Sequence, residues 1–190
     1  MKNREKIENM RNLTVKKTKG TSLLYWYKFN PAKVIFNFII IWIAKYLPSL
    51  HFKNFLYKLI GIKIGKNSAV ALGVNFDIFF PELIEIGDNT IIGFNTTILA
   101  HEFLQNEIRT GKVKIGKNVV IGANSTILPG ITIGDNAIVS SMSLVNKDVK
   151  EGEFVGGIPI KVLKKGKGKT EKTKKLRIKK LEDENEKMKK

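Results

Sequence analysis

The sequence predicts an all-β core: a solenoid of short parallel strands wound in triangular coils, capped by one or more helices in front and followed by a basic tail. Three observations predict it. One tetrapeptide, Ile-Gly-x-Asn, recurs six times, beginning at Ile64, Ile86, Ile92, Ile115, Ile121 and Ile133. Aliphatic residues recur at intervals of six, through Ile115, Ile121, Ile127, Ile133, Val139 and Val145, through Ile86, Ile92 and Ile98, and through Ile64 and Val70 to Phe76. That period fits neither an amphipathic helix, whose apolar residues recur at three and four, nor a simple two-faced strand.

Six residues make a short strand and a tight corner. The aliphatic residue points inward, and the polar residues at the corner point out. Asn is the residue other than Gly that most readily takes a positive φ, so an Asn at one phase of the repeat reads as a recurrent left-handed corner. Three sides close one coil of eighteen residues, and stacked coils bury a ladder of Ile and Val. The repeat is interrupted twice. Phe76 to Ile86 spans ten residues, leaving about four extra around Phe79-Phe80-Pro81-Glu82. Ile98 to Ile115 spans seventeen, so an excursion leaves the coil between roughly Glu102 and Gly111.

Four segments follow in chain order. Residues 1–33 form a basic N-terminal arm, 34–61 an apolar to amphipathic helical cap, 62–160 the coil, and 161–190 a basic tail, mobile or loosely helical. An open coil needs caps because its last strands are unpaired. In front, Leu50, Phe52, Phe55, Leu56, Leu59 and Ile60 predict a short amphipathic helix ending at Gly61. Behind, Glu153 to Leu163 leaves the repeat.

The net charge of +17 is unevenly placed: +7 over 1–33, +1 over 34–160 and +9 over 161–190. Two readings stay open for the ends, attraction to polyanions or plain solvation. The apolar run Val34 to Ala44 is 11 residues between Lys33 and Lys45. That is about half of what a bilayer-spanning helix needs, so the run is expected to lie on a membrane or a protein surface. A secretory leader is not expected, and the location read from the chain is cytoplasmic, at the periphery of a membrane. There is no cysteine, which excludes disulfides, thiolate nucleophiles and cysteine-held metals.

The chain has two histidines, His51 and His101. His51 falls in the apolar front helix and reads as an ordinary helix residue. His101 falls at the fourth position of its hexad, where other hexads carry Asn, so it is expected at a corner, facing outward beneath the excursion. A group that titrates near neutral pH in such a place suits general-base work.

The run from Ile86 to Leu163 resembles the hexapeptide-repeat O-acetyltransferases, the group of maltose and galactoside acetyltransferases. The resemblance is carried by Ile-Gly-Asp-Asn at 86–89, by Asn-Thr-Thr-Ile at 95–98 followed by Ala-His-Glu at 100–102, and by Val-Lys-Ile-Gly-Lys-Asn-Val at 113–119. It continues through Leu-Pro-Gly-Ile-Thr-Ile-Gly-Asp-Asn at 128–136, Val-Asn-Lys-Asp-Val at 145–149 and Gly-Gly-Ile-Pro at 156–159. The resemblance implies a left-handed parallel β-helix, a homotrimer, and acetyl-CoA as co-substrate in a groove between subunits, with no metal. It implies His101 as the base that takes the acceptor hydroxyl proton. Asn75, in Val-Asn-Phe-Asp, matches an active-site asparagine; for Asp77 and Glu102 two readings stay open, carboxylates that orient His101 or incidental surface groups. Glu102 completes the candidate catalytic set with His101 and Asn75. For the coenzyme, Ala123 and Ser141 match two small residues along the pantetheine arm. Asn146 and Lys147 match a contacting pair, and Lys161 and Lys164 match lysines at the nucleotide phosphates.

There are departures from that group. Val120 stands where many members have Trp, the excursion is short, and the N-terminal region of the sugar acetyltransferases is replaced by a basic arm and an apolar helix. The function expected is acetyl transfer to a hydroxyl of a sugar, glycan or glycolipid-type acceptor. A non-catalytic β-helix scaffold is the alternative. A β-helix carbonic anhydrase needs three histidine ligands, which the coils lack. Nucleic acid is not an expected partner, because the tails lack interleaved aromatics and a recognition motif.

Overall fold

The computed structural model describes residues 11–166. The coil is built as the period predicts. Three parallel sheets form its sides. The first stacks Lys63–Ile64, Ile84–Ile86, Val113–Ile115 and Thr132–Ile133, and the second stacks Ala69–Val70, Ile91–Ile92, Val120–Ile121, Ile138–Val139 and Phe154–Gly156. The third stacks Asn75–Phe76, Thr97–Ile98, Thr126–Ile127 and Leu144–Val145. The register places the aliphatic residue of each strand directly over that of the next: Ile86 pairs with Ile115, Ile92 with Ile121, and Ile98 with Ile127. These side chains are buried along the whole axis. Each fully buried Ile or Val contributes roughly 1.5–3 kcal/mol relative to exposure.

Both residues of the repeated motif have a structural cause. All six motif asparagines take positive φ, between 52° at Asn89 and 59° at Asn136. Their side chains also stack: Asn89 Nδ2 donates to Asn118 Oδ1 at 2.8 Å, and Asn95 Nδ2 to Asn124 Oδ1 at 2.9 Å. The glycine is demanded by the neighbouring coil. A Cβ on Gly87 would lie 2.6 Å from Gly116 O, and one on Gly93 would lie 2.6 Å from Ala123 N. The motif serves the first two corners only. The third corner, after Phe76, Ile98, Ile127 and Val145, carries Phe79, His101, Gly130 and Asp148 instead. Both interruptions leave from there, where no Asn ladder is broken.

Two helices close the front. Helix α1 spans Pro31–Tyr46, with Asn30 Oδ1 accepting from Lys33 N and Pro31 in its first turn. Helix α2 spans Leu50–Leu59 and is followed by Gly61 at φ +99°, close to the predicted end. His51 is exposed on α2. Asn37 of α1, the one polar residue in the apolar run, is buried and donates to Ile78 O at 2.8 Å.

The basic arm is structured where it is described. Strand Thr14–Lys17 pairs antiparallel with Glu107–Thr110, which pairs antiparallel with His101–Phe103. The excursion is therefore a β-hairpin, and the arm is its third strand. A 3-10 helix, Ser22–Lys28, continues from it, tied by Ser22 N to Leu104 O at 3.1 Å. At the back, Lys161–Lys164 returns antiparallel on Phe154–Gly156, so the first residues assigned to the tail are an edge strand. The expected mobile or helical stretch from 167 to 190 lies outside the described residues.

Candidate active site

His101 does not occupy a left-handed corner. It is absent from the positive-φ residues and opens the first hairpin strand, opposite Thr110. Its side chain is 13% exposed, more enclosed than a corner residue. The reason is the excursion itself, since a chain leaving the coil into a hairpin needs extended backbone where a continuing coil needs a turn.

The partner of His101 is Asp77. The register of the third side places Phe76 beside Ile98, so the residues after each are neighbours across one coil step. His101 Nδ1 lies 2.5 Å from Asp77 Oδ2, which also accepts from Ala100 N at 2.8 Å. The other oxygen, Oδ1, accepts from Phe79 N at 2.9 Å and Phe80 N at 3.0 Å. Asp77 is 2% exposed. Burial alone pushes its carboxyl pKa up. The hydrogen bond and charge of His101 and the amides of Phe80 and Ala100 outweigh that, and the net pKa falls below the ordinary value. An ionised carboxylate accepts only, so His101 Nδ1 is the donor of this hydrogen bond and Nε2 is the ring nitrogen it leaves uncommitted.

Aromatic rings enclose the imidazole. Phe103, Phe79 and Phe80 stand edge-on to it, with centroids 4.6, 4.9 and 5.8 Å away, and Phe29 packs on all three. The four residues that look surplus in the repeat, Phe79 to Glu82, thus supply two walls and two amides of the site.

Glu102, placed in the catalytic set with His101 on sequence, turns the other way. Neighbouring residues of a strand face opposite sides. Phe103 stacks near His101, whereas Glu102 takes a two-point ion pair from Arg11, Nη1 to Oε1 at 2.7 Å and Nη2 to Oε2 at 3.2 Å. It joins the arm to the hairpin. Asn75 lies on the outer side of the third sheet, where its Oδ1 accepts from Lys45 Nζ of α1 at 2.9 Å. Its Nδ2 has no partner among the described residues.

The residues matched to the coenzyme gather towards the back of the coil. Ala123 and Ser141 stack at the second corner, where Met142 N donates to Ala123 O at 2.9 Å. Asn146 and Lys147 follow strand Leu144–Val145, and Lys161 and Lys164 are exposed on the edge strand. Asn146 Oδ1 is buried with no hydrogen-bond partner. His101 and the Ala123–Ser141 pair occupy different corners of the triangle. Among the described residues no group of three or more His, Asp or Glu is placed to hold a metal ion.

A histidine held by a buried carboxylate beneath an aromatic collar, on a parallel β-helix of six-residue repeats, is a candidate group-transfer site. Residues 112–147 match the family model "Bacterial transferase hexapeptide (six repeats)". The chain is 53% identical over 146 residues to a Bacillus subtilis (strain 168) protein named "Putative acetyltransferase YvoF", covering 76% of this chain and 85% of that one. It is 34% identical over 110 residues to the galactoside O-acetyltransferase of Escherichia coli (strain K12), covering 54% and 53%. Its fold is similar to a hexapeptide-repeat acetyltransferase of Vibrio cholerae O1 biovar eltor solved with acetyl coenzyme A, at a TM-score of 0.62 and 22% identity over 72% of this chain and 88% of that one. The chain belongs to the hexapeptide-repeat acetyltransferases, with their left-handed β-helix.

Proposed function

We propose that this acetyltransferase moves an acetyl group from acetyl-CoA to a hydroxyl of a sugar, glycan or glycolipid-type acceptor, with His101 as general base. The observation that carries the reading is the buried carboxylate on His101 Nδ1. A scaffold has no use for a carboxylate buried to orient an imidazole, and a base does.

The residues at the back of the coil fit the coenzyme. Ala123 and Ser141 leave room for a thin arm, Asn146 Oδ1 is a buried acceptor in need of an N–H, and Lys161 and Lys164 supply positive charge for phosphates. When bound, acetyl-CoA supplies the acetyl group as a thioester. His101 Nε2 takes the acceptor hydroxyl proton as the oxygen bonds to the acetyl carbon, and returns that proton to the departing sulfur. Asp77 holds the ring in the productive tautomer and stabilises the imidazolium formed in between. Asn75, its oxygen engaged by Lys45, presents Nδ2 as a donor to the acceptor or to the developing oxyanion. The aromatic collar excludes water, which strengthens these interactions.

We also infer a homotrimer. Ile91, Val120 and Ile138 form an exposed aliphatic column on the second side, which calls for cover. A neighbouring copy would cover it and build one groove from two corners. The setting we infer is the cytoplasm, against a membrane surface. Among the described residues no helix is long and apolar enough to cross one.

Calorimetry with acetyl-CoA on the wild type and on His101→Ala tests the transfer reading. Both are expected to bind with similar affinity, while transfer to a sugar acceptor by the variant falls by about 10²–10⁴. If neither binds any acyl-CoA, the reading fails.

A further inference from the structure

The front cap exposes many large apolar side chains. Helix α1 is apolar almost all round, and a helix of that kind normally has both faces covered. Its inner face, through Val34, Ile41 and Ala44, is buried. Its outer face is uncovered: Phe38 is 53% exposed, Trp42 60% and Tyr46 64%. The preceding 3-10 helix extends this surface with Leu24 and Trp26, also exposed. At sixteen residues α1 is about 24 Å long, short of the roughly 30 Å hydrocarbon core.

The helices and the 3-10 segment that form this surface carry charge of one sign. Asp and Glu are absent from residue 9 to residue 76, so neither helix nor the 3-10 segment contains one. Lys28, Lys33 and Lys58 are exposed along it. Beside the 3-10 helix runs a cleft lined by Lys16, Lys17, Lys19 and Lys28 together with Tyr25 and Phe29. Lys17 is neutralised by Glu107 at 2.7 Å and Lys33 by Glu82 at 2.9 Å, while Lys28 sits over the Tyr25 ring. Lys16 and Lys19 make no ion pair among the described residues. Apolar side chains ringed by lysines, with Trp and Tyr at the boundary, are the chemistry of an interfacial helix on anionic lipid.

We propose that the outer face of α1 and the 3-10 helix Ser22–Lys28 dock on an anionic phospholipid bilayer, with Lys16, Lys19 and Lys28 taking lipid phosphates. The proposal rests on the membrane-surface reading above and is independent of the chemistry at His101. The docking face is rigidly tied to the site. Asn37 and Lys45, from the inner side of α1, hold Ile78 O and Asn75 Oδ1 on either side of Asp77. Phe29 lines the lysine cleft and packs on the ring collar of His101. Docking therefore presents the acceptor site at headgroup height, where the hydroxyl of a glycolipid lies.

The chain's two tryptophans, Trp26 and Trp42, both lie on this face, so its fluorescence reports on the face and not on the basic tail. The full chain is mixed with vesicles of phosphatidylcholine, with and without phosphatidylglycerol, and with the same lipids carrying brominated chains. We expect co-sedimentation with the phosphatidylglycerol vesicles, a blue-shifted emission, and quenching by the brominated chains. Trp42→Glu is expected to weaken binding at least tenfold, with acetyl-CoA affinity unchanged. Sedimentation without quenching assigns binding to the tail and overturns the proposal, as does a Trp42→Glu variant that binds as well as the wild type. Absence of vesicle binding, with Trp42→Glu lowering the particle mass in light scattering, makes the face a contact between copies and also overturns it. Retained acetyl-CoA binding in any of these outcomes leaves the transferase reading standing.

Discussion

In the mechanism proposed above Asp77 sets the tautomer of His101, a role the sequence left open beside that of an ordinary surface carboxylate. Counting coils places Phe76 over Ile98 and so brings Asp77 near His101. Its burial, however, comes from Phe79 and Phe80, which the six-residue count treats as surplus. Asp77→Asn should leave acetyl-CoA binding intact and lower transfer by a factor on the order of 10²–10⁴, because the amide no longer enforces the Nδ1–H tautomer. Steady-state kinetics with a binding control checks this. The lowered pKa of Asp77 also sets a stability window. Between its ordinary value of 3.8 and its lower native value, the unfolded chain holds more protons than the native one. The stabilisation is therefore complete above the ordinary value and is lost as the pH falls through the native value. Urea midpoints measured from pH 6 down to pH 2 should drop less in that window for Asp77→Asn than for the wild type. Met142 is a second residue-scale case. It stands at φ +58° in the corner position that Asn fills elsewhere. Met142→Asn should raise stability by about 1 kcal/mol, read as a shift in melting temperature.

At the scale of elements, the hairpin and the N-terminal strand behave as one unit. His101 lies on a strand whose partner is held in turn by Thr14–Lys17, and the fastening is the Arg11–Glu102 ion pair. Arg11 is nearly buried, so removing one partner leaves a charge with little solvent. Glu102→Gln is expected to destabilise the arm by about 3 kcal/mol, visible as faster amide exchange over residues 14–17 and 107–110. Exchange in the coil strands should not change. Loss of the arm would also uncover the collar through the 3-10 helix that follows it. Sequence periodicity located this excursion to within a few residues. It was blind to the third strand, because pairing between segments ninety residues apart leaves no local pattern.

At the scale of the molecule, the exposed column of Ile91, Val120 and Ile138 on the second side of the coil and the apolar cap in front are separate surfaces, for which we have proposed separate partners. With the homotrimer proposed above, Ile138→Glu is expected to dissociate it, seen as a reduced mass by light scattering, while the circular dichroism of the coil stays the same. Because the Ala123–Ser141 pair and His101 occupy different corners, the dissociated protein should lose most of its transfer activity. A monomeric mass for the wild type would remove the basis of the two-corner groove.

The sequence by itself determined the coil. A six-residue period, an Asn able to hold a left-handed corner, and a Gly forced by the next coil are local constraints, repeated until no other fold accommodates them. The order of sides was also encoded, since the motif never follows the third-side residues Phe76, Ile98, Ile127 and Val145, where both excursions leave. The tertiary structure alone decided what surrounds His101. Whether Asp77 or Glu102 faces the imidazole depends on strand alternation in a hairpin, on two phenylalanines folding over a carboxylate, and on an arm drawing Glu102 away with Arg11. Those contacts join residues that no period relates, and their energies exist only once the chain has packed.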